Sequence, residues 1–233
     1  MLHFAKALSR LVPPVAAACL LAAPAHAQVN WTDWTSNGSN TAAGTLTLGS
    51  TPVGVSFSGP YVFVQTGCGV NYWVPNVYTS ATVPNPPIAC DIVALSAGGP
   101  KTITFAQPVT DPFFAFLSWN GQLGQPMPIT GFNGATPVTP MLQLLSQGTS
   151  FWGPGTASVS GNNLTITGEV GGTVQLIGTF TQIDFTDNTE NWHGFTVGAV
   201  GLATPTTAPE PATFVLLGSG LLVVVGAAWR RRT

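Results

Sequence analysis

Seven acidic side chains, Asp33, Asp91, Asp111, Glu169, Asp184, Asp187 and Glu190, are the residues of this chain best equipped for chemistry. Two carboxylates flanking a glycosidic bond can hydrolyse it, one acting as acid and the other as base or nucleophile, when their separation suits. Seven acids offer many pairs and the sequence selects none, so a glycoside hydrolase stays open as the least favoured reading. Other catalytic routes are closed more firmly. There is no G-x-S-x-G nucleophile elbow, and His193 is the only histidine beyond residues 1–27, too few for a zinc site built from several imidazoles. The expectation is therefore a protein with no catalytic residue, no metal and no cofactor. The densest polar run, "DFTDNTENWHG", offers Asp184, Asp187, Asn188, Glu190 and Asn191 as oxygen ligands for calcium. No EF-hand spacing supports a calcium loop, and a strand ending in an Asx-rich turn is the simpler account.

Aromatic side chains are the second candidate chemistry. Trp31, Trp34, Tyr61, Tyr72, Trp73, Tyr78, Trp119, Trp152 and Trp192 are many for a domain with so little charge. Rings left at the surface are platforms for the apolar faces of sugars, whereas rings that fill a core are structural. Trp31, Trp34 and Trp73 sit among Thr, Asn and Pro in loop-like surroundings, so these three are the candidate glycan contacts.

Both chemistries depend on where the chain works. Lys6 and Arg10 precede an apolar stretch at residues 15–23, and Ala25-His26-Ala27 is a small-x-small site before Gln28. This reads as a signal peptide over residues 1–27, passed by the general secretion machinery to signal peptidase, with cleavage between Ala27 and Gln28. Cys19 could instead be read as a lipid-attachment cysteine, but Ala16 fits poorly where such sites favour a larger aliphatic residue. At the far end, residues 212–229 carry no charge and are about long enough to cross a hydrocarbon core of about 30 Å. Arg230, Arg231 and Arg232 follow as a basic stop that prefers the cytoplasmic side, which places the body outside the cytoplasm.

With those segments set aside, one base, Lys101, stands against seven acids, a net charge of minus six for residues 28–203. Nucleic acid is excluded as a partner, because displacing counterions from phosphates needs several Lys or Arg. Anionic lipid surfaces are excluded on the same ground. Cys68 and Cys90 remain in an oxidising compartment, where a disulfide is favoured over two separately buried thiols.

Residues 28–203 suffice for one domain, and their composition is that of strands joined by turns: abundant Thr, Ser, Gly and apolar residues with a charged content of 6% overall. Alternation in "KTITFAQPV" predicts a half-buried strand. The stretch "TASVSGNNLTITGEVGGTVQLIGTF" predicts a three-stranded meander, with turns at Gly161-Asn162-Asn163 and Gly171-Gly172. "GTLTLGS", "VGVSFSG", "YVFVQTG", "DIVALSA", "PFFAFLSW", "TQIDFTD" and "GFTVGAV" supply further strands. A short helix is expected only at residues 141–146. The predicted fold is all-β: a single antiparallel β-sandwich or jelly-roll-like domain, flanked by the signal peptide and a C-terminal transmembrane helix.

The tail sharpens the destination. After a Pro/Thr linker at residues 204–208 come Pro209-Glu210-Pro211, the glycine-bearing apolar stretch and the three arginines. Hydropathy alone allows a permanent single-pass anchor. The order of these features over residues 209–233 resembles the PEP-CTERM sorting tail, and "TITFAQPVTDPFFAFLSWN" and "GTFTQIDFTDNTENWHGFTVGA" look like phrases common in PEP-CTERM ectodomains. The resemblance implies an exosortase-type sorting enzyme as partner, with Pro209, Glu210 and Pro211 as the sorting motif. It implies residence in the inner membrane with a periplasmic ectodomain before sorting, then the cell surface or extracellular matrix, where exopolysaccharide is an expected neighbour. The reading that follows is an exported, non-catalytic structural or interaction β-sandwich; the runner-up is a carbohydrate-binding module of the same fold.

Overall fold

Period-two alternation builds nearly all of the molecule. The computed structural model describes residues 28–73, 75–120, 123–150 and 152–203. The signal segment at residues 1–27, the linker at 204–208, and the sorting tail at 209–233 with its span at 212–229 lie outside the described residues. In chain order the strands are β1 (Asn30–Trp31), β2 (Asp33–Gly38), β3 (Thr41–Leu48), β4 (Thr51–Ser58) and β5 (Phe63–Thr66), followed by a single helical turn α1 (Pro75–Tyr78). Then come β6 (Asp91–Leu95), β7 (Gly99–Thr110), β8 (Phe113–Leu117), β9 (Pro126–Asn133), β10 (Thr136–Val138), β11 (Met141–Thr149), β12 (Gly155–Ser160), β13 (Asn163–Gly168), β14 (Val170–Ile177), β15 (Thr179–Asp187) and β16 (His193–Ala199).

Two antiparallel sheets result. One runs β11-β14-β8-β16-β6-β5 with β1 beside β16, and the other runs β12-β13-β9-β15-β7-β4-β3-β2 with β10 beside β9. Their inner faces share one core. Val53, Val55 and Phe57 of β4 pack with Ile103 and Phe105 of β7, Phe114 and Phe116 of β8, and Phe195 and Val197 of β16. Each such side chain contributes about 1.5–3 kcal/mol by leaving water.

The two sheets differ on their outer faces. The second sheet turns Ala43, Ser56, Ser58, Thr130 and Thr186 to solvent. The central strands of the first sheet are buried on both sides: every residue of β6, β8 and β16 is buried. Its outer layer is the segment between β5 and β6, which lays Trp73, Val77, Tyr78 and Val83 over Ile92, Phe113, Ala115 and Leu117. This segment is closed at its base by a Cys68–Cys90 disulfide with a Cα–Cα distance of 4.3 Å. The apolar run "FFAFL" of β8 thus alternates between two buried faces.

Two expectations are corrected. Residues 141–146 are not helical; they begin β11, which pairs with β14 across Met141↔Ile177 to Thr149↔Val170. The expected three-stranded meander stops after its first hairpin, β12–β13, and the chain then crosses to the other sheet. Gly171 and Gly172 are not a turn but the start of β14. A Cβ at Gly172 would lie 2.4 Å from the Ser146 carbonyl oxygen and 2.8 Å from the Phe116 ring, and one at Gly171 would lie 2.6 Å from the Tyr78 hydroxyl. Their smallness serves close packing rather than positive φ. The switch between sheets is made instead at Gly168, whose φ is +77°.

Candidate functional site

That crossover sets Glu169 at one end of the sandwich, between β13 and β14, where three other connections converge. Ser118 and Asn120 follow β8, Trp152 lies between β11 and β12, and Asn191 and Trp192 lie between β15 and β16. Together they line a cleft of about 400 Å³. Glu169 is held firmly: Ser118 Oγ donates to its Oε2 and Asn120 Nδ2 to its Oε1. Its backbone N–H donates to the Pro154 carbonyl at 3.0 Å and its own carbonyl accepts from Ser150 at 3.3 Å. A carboxylate oxygen has lone pairs beyond the one each donor uses, so Glu169 can still accept from a ligand.

Of the six described tryptophans, Trp31, Trp34, Trp73 and Trp119 are buried. The two that keep open surface, Trp152 at 52% exposure and half-buried Trp192, meet at this cleft. Their centroids are 5.7 Å apart and their planes are inclined at 67°. Trp192 is backed by Tyr72 at 5.2 Å and Phe63 at 6.3 Å.

Behind the cleft lies a buried polar chain. Lys101 sits on the inward face of β7 with Ile103 and Phe105, a position a lysine holds only with a partner. Its Nζ donates to Asp187 Oδ1 at 2.6 Å and to the carbonyls of Ala97 and Gly99. The other Asp187 oxygen is 2.8 Å from His193 Nε2, and His193 Nδ1 is 2.5 Å from Glu190 Oε1. Trp119 covers the imidazole at 4.6 Å. Burial pushes the His193 pKa down, but the hydrogen bonds and charges of Asp187 and Glu190 outweigh it and hold the ring above its ordinary value. The Lys101, Asp187 and His193 side chains show no exposure, and Glu190 only 4%, so the chain of charges organises the core.

The remaining sequence candidates are dispersed. Asp184 accepts from Thr102 at 2.8 Å and from Gln182, on the outer side of the second sheet. Asp111 accepts from the Gly178 N–H at 2.7 Å. Asp91 is buried and accepts from the Trp34 N–H at 2.9 Å. Burial raises its pKa to about 6, against the Trp34 hydrogen bond, which lowers it, and with a smaller push from Asp33. Asp184 is thus turned to the outer side while Asp187 and Glu190 are both taken up by His193, and among the described residues no three His, Cys, Asp or Glu gather as metal ligands.

Trp31, Trp34 and Trp73 are corrected as candidate glycan contacts, because their rings are enclosed. Trp31 lies in β1, packs 6.4 Å from Phe113 and donates to the Asn85 carbonyl at 3.2 Å. Trp34 lies in β2 and donates to Thr196 Oγ1 at 3.1 Å. Trp73 donates to the Asp91 carbonyl at 3.2 Å and stands edge-on to Tyr78. Trp152 and Trp192 carried no signal in the sequence that set them apart from the other aromatics: each lies in a short Gly- or Asn-bearing turn. Glu169 and Asn120 were equally unmarked, because a fold crossover unites them.

Fold and cleft together define an all-β two-sheet protein with a disulfide. Over residues 207–232 the chain matches the PEP-CTERM protein-sorting motif. That motif implies an exported protein, anchored at a membrane before an exosortase-type enzyme processes it. No curated protein and no solved structure matches the chain significantly. Among the described residues no helix is long and apolar enough to cross a membrane.

Proposed function

We propose that the chain is a cell-surface or matrix protein whose β-sandwich binds or scaffolds without catalysis, and that its tail delivers it there through exosortase. The observation that carries the sandwich's part is the open face of the second sheet. Exposed Ser and Thr side chains, with Ala43 and Gly54 between them and only the acids Asp33 and Asp184 carrying charge on that side, offer hydrogen bonds to a neutral polymer or a neighbouring protein. The acids support the non-catalytic reading. Among the described residues Glu169 is the one carboxylate lining the cleft, whereas hydrolysis of a glycosidic bond takes two, and the Asp187–His193–Glu190 group is sealed from any substrate.

Delivery is tested at the tail, where Pro209, Glu210 and Pro211 are the sorting residues and Arg230, Arg231 and Arg232 the stop. In the producing organism, Glu210→Ala is expected to leave full-length protein in the inner membrane while the wild-type chain loses its tail. Intact-mass measurement of exported wild-type protein checks this: Arg230 to Arg232 still attached overturns removal of the tail. A mass starting upstream of Gln28 overturns the signal cleavage after Ala25-His26-Ala27.

A further inference from the structure

We infer that the cleft between Trp152, Trp192 and Glu169 is a binding site for a neutral, soluble saccharide, gripping one sugar ring at a chain end or branch.

Three independent features converge on this. Large aromatic side chains are stabilised by burial, and this chain buries four of its six described tryptophans; the two with open surface lie against each other in one cleft. Indole faces suit the C–H-rich faces of sugars, since they offer flat apolar surface with a negative quadrupole. The cleft's polar groups are Ser118, Asn120, Glu169 and Asn191, the mixture of acceptor and amide that hydroxyl groups pair with from both sides. Glu169 is already fixed by Ser118 and Asn120, so little rotamer entropy remains to be lost on binding.

The class of saccharide follows from charge and angle. A carboxylate in the cleft and a single base in residues 28–203, buried Lys101, disfavour uronates and sulfated sugars. The two indoles are inclined at 67°, so they form a corner and not a flat strip. A ring seated on one indole meets the edge of the other, which suits one accessible sugar. A crystalline polysaccharide surface would instead need coplanar rings.

The inference rests on the interaction reading above only in needing the sandwich to meet its ligand outside the cell. Exported protein, as processed by the producing organism, would be run in native gels cast with soluble neutral glucan, mannan or galactan, with alginate as an acidic polymer and crystalline cellulose as a solid probe. Retardation by at least one neutral polymer is expected, with Trp152→Ala weakening it at least about tenfold and Trp152→Phe much less. Trp192→Ala should weaken it likewise, whereas Gln143→Ala, exposed on β11 and outside both the cleft and the open face, should not. Trp152 is half-exposed, so its variants are expected to melt near the wild type, and the melting curve is recorded with each gel. Binding unchanged in Trp152→Ala, no retardation by any neutral polymer, or binding confined to alginate or to cellulose would each overturn the assignment. Any of these alongside a correctly removed tail would leave delivery standing and sink the cleft alone.

Discussion

Trp34 has no exposed surface, yet its neighbours Thr35, Ser36, Asn37 and Gly38 are all exposed. An edge strand that turns a single side chain inward has no alternation to read, so the segment looked like a loop. Its indole fills the core beneath β3 and its N–H reaches Thr196, so truncation leaves both a cavity and an unpaired hydroxyl partner. Trp34→Ala is expected to cost about 3–5 kcal/mol, read as a drop in thermal melting temperature. A change within about 1 kcal/mol would mean that the ring is not packed as described. Trp31 is anchored differently. Asn85 mimics a strand neighbour, accepting from the Val29 N–H at 2.9 Å and donating to its carbonyl at 2.8 Å, and so clamps the chain beside β1.

At the scale of elements, most strands were legible because their apolar positions alternate: β3, β4, β7 and β15 each put Val, Ile, Leu or Phe on one side. The same pattern cannot say which strand lies beside which, nor where the chain changes sheets. Gly171-Gly172 therefore read as a hairpin when its role is steric, and residues 141–146 read as helical because the strand they pair with lies far along the chain, Met141 opposite Ile177 and Leu144 opposite Val174. The Cys68–Cys90 bridge was legible from compartment and count, but not the surface it protects. That surface is the outer face of β6 and β8. Closing a loop of separation 22 contributes on the order of 3 kcal/mol. Reduction is expected to raise hydrogen exchange across residues 67–90 and in β8, while β3 and β4 in the other sheet keep their protection. Uniform loss across both sheets would show instead that the bridge supports the whole fold.

At the scale of the whole molecule, two buried groups give stability a direction in pH. Asp91, raised from 3.8 to about 6, and His193, raised above 6.5, both bind a proton more readily in the folded chain than in the unfolded one. Where the folded state holds more protons, stability falls as pH rises. The His193 contribution is complete below about 6.5 and is lost as pH climbs through its raised value. The Asp91 contribution is complete below about 4 and is lost by somewhat above 6. The urea midpoint is thus expected to rise as pH falls from 8 to 5. Asp91→Asn, which keeps an acceptor for the Trp34 N–H, should flatten the lower part of that slope and leave the part above pH 6.5. A midpoint that falls between pH 8 and pH 5 would contradict both assignments.

Lys101 gives that same body an unusual outward chemistry. Because the single basic side chain between residues 28 and 203 is spent on Asp187 inside the core, the folded domain shows the outside world no lysine and no arginine. Trypsin-like proteases find no bond to cut on its surface, and amine-reactive cross-linkers have no side chain there to join. A protein built this way resists secreted proteases of trypsin-like specificity through composition alone, before any question of how tightly it is folded arises.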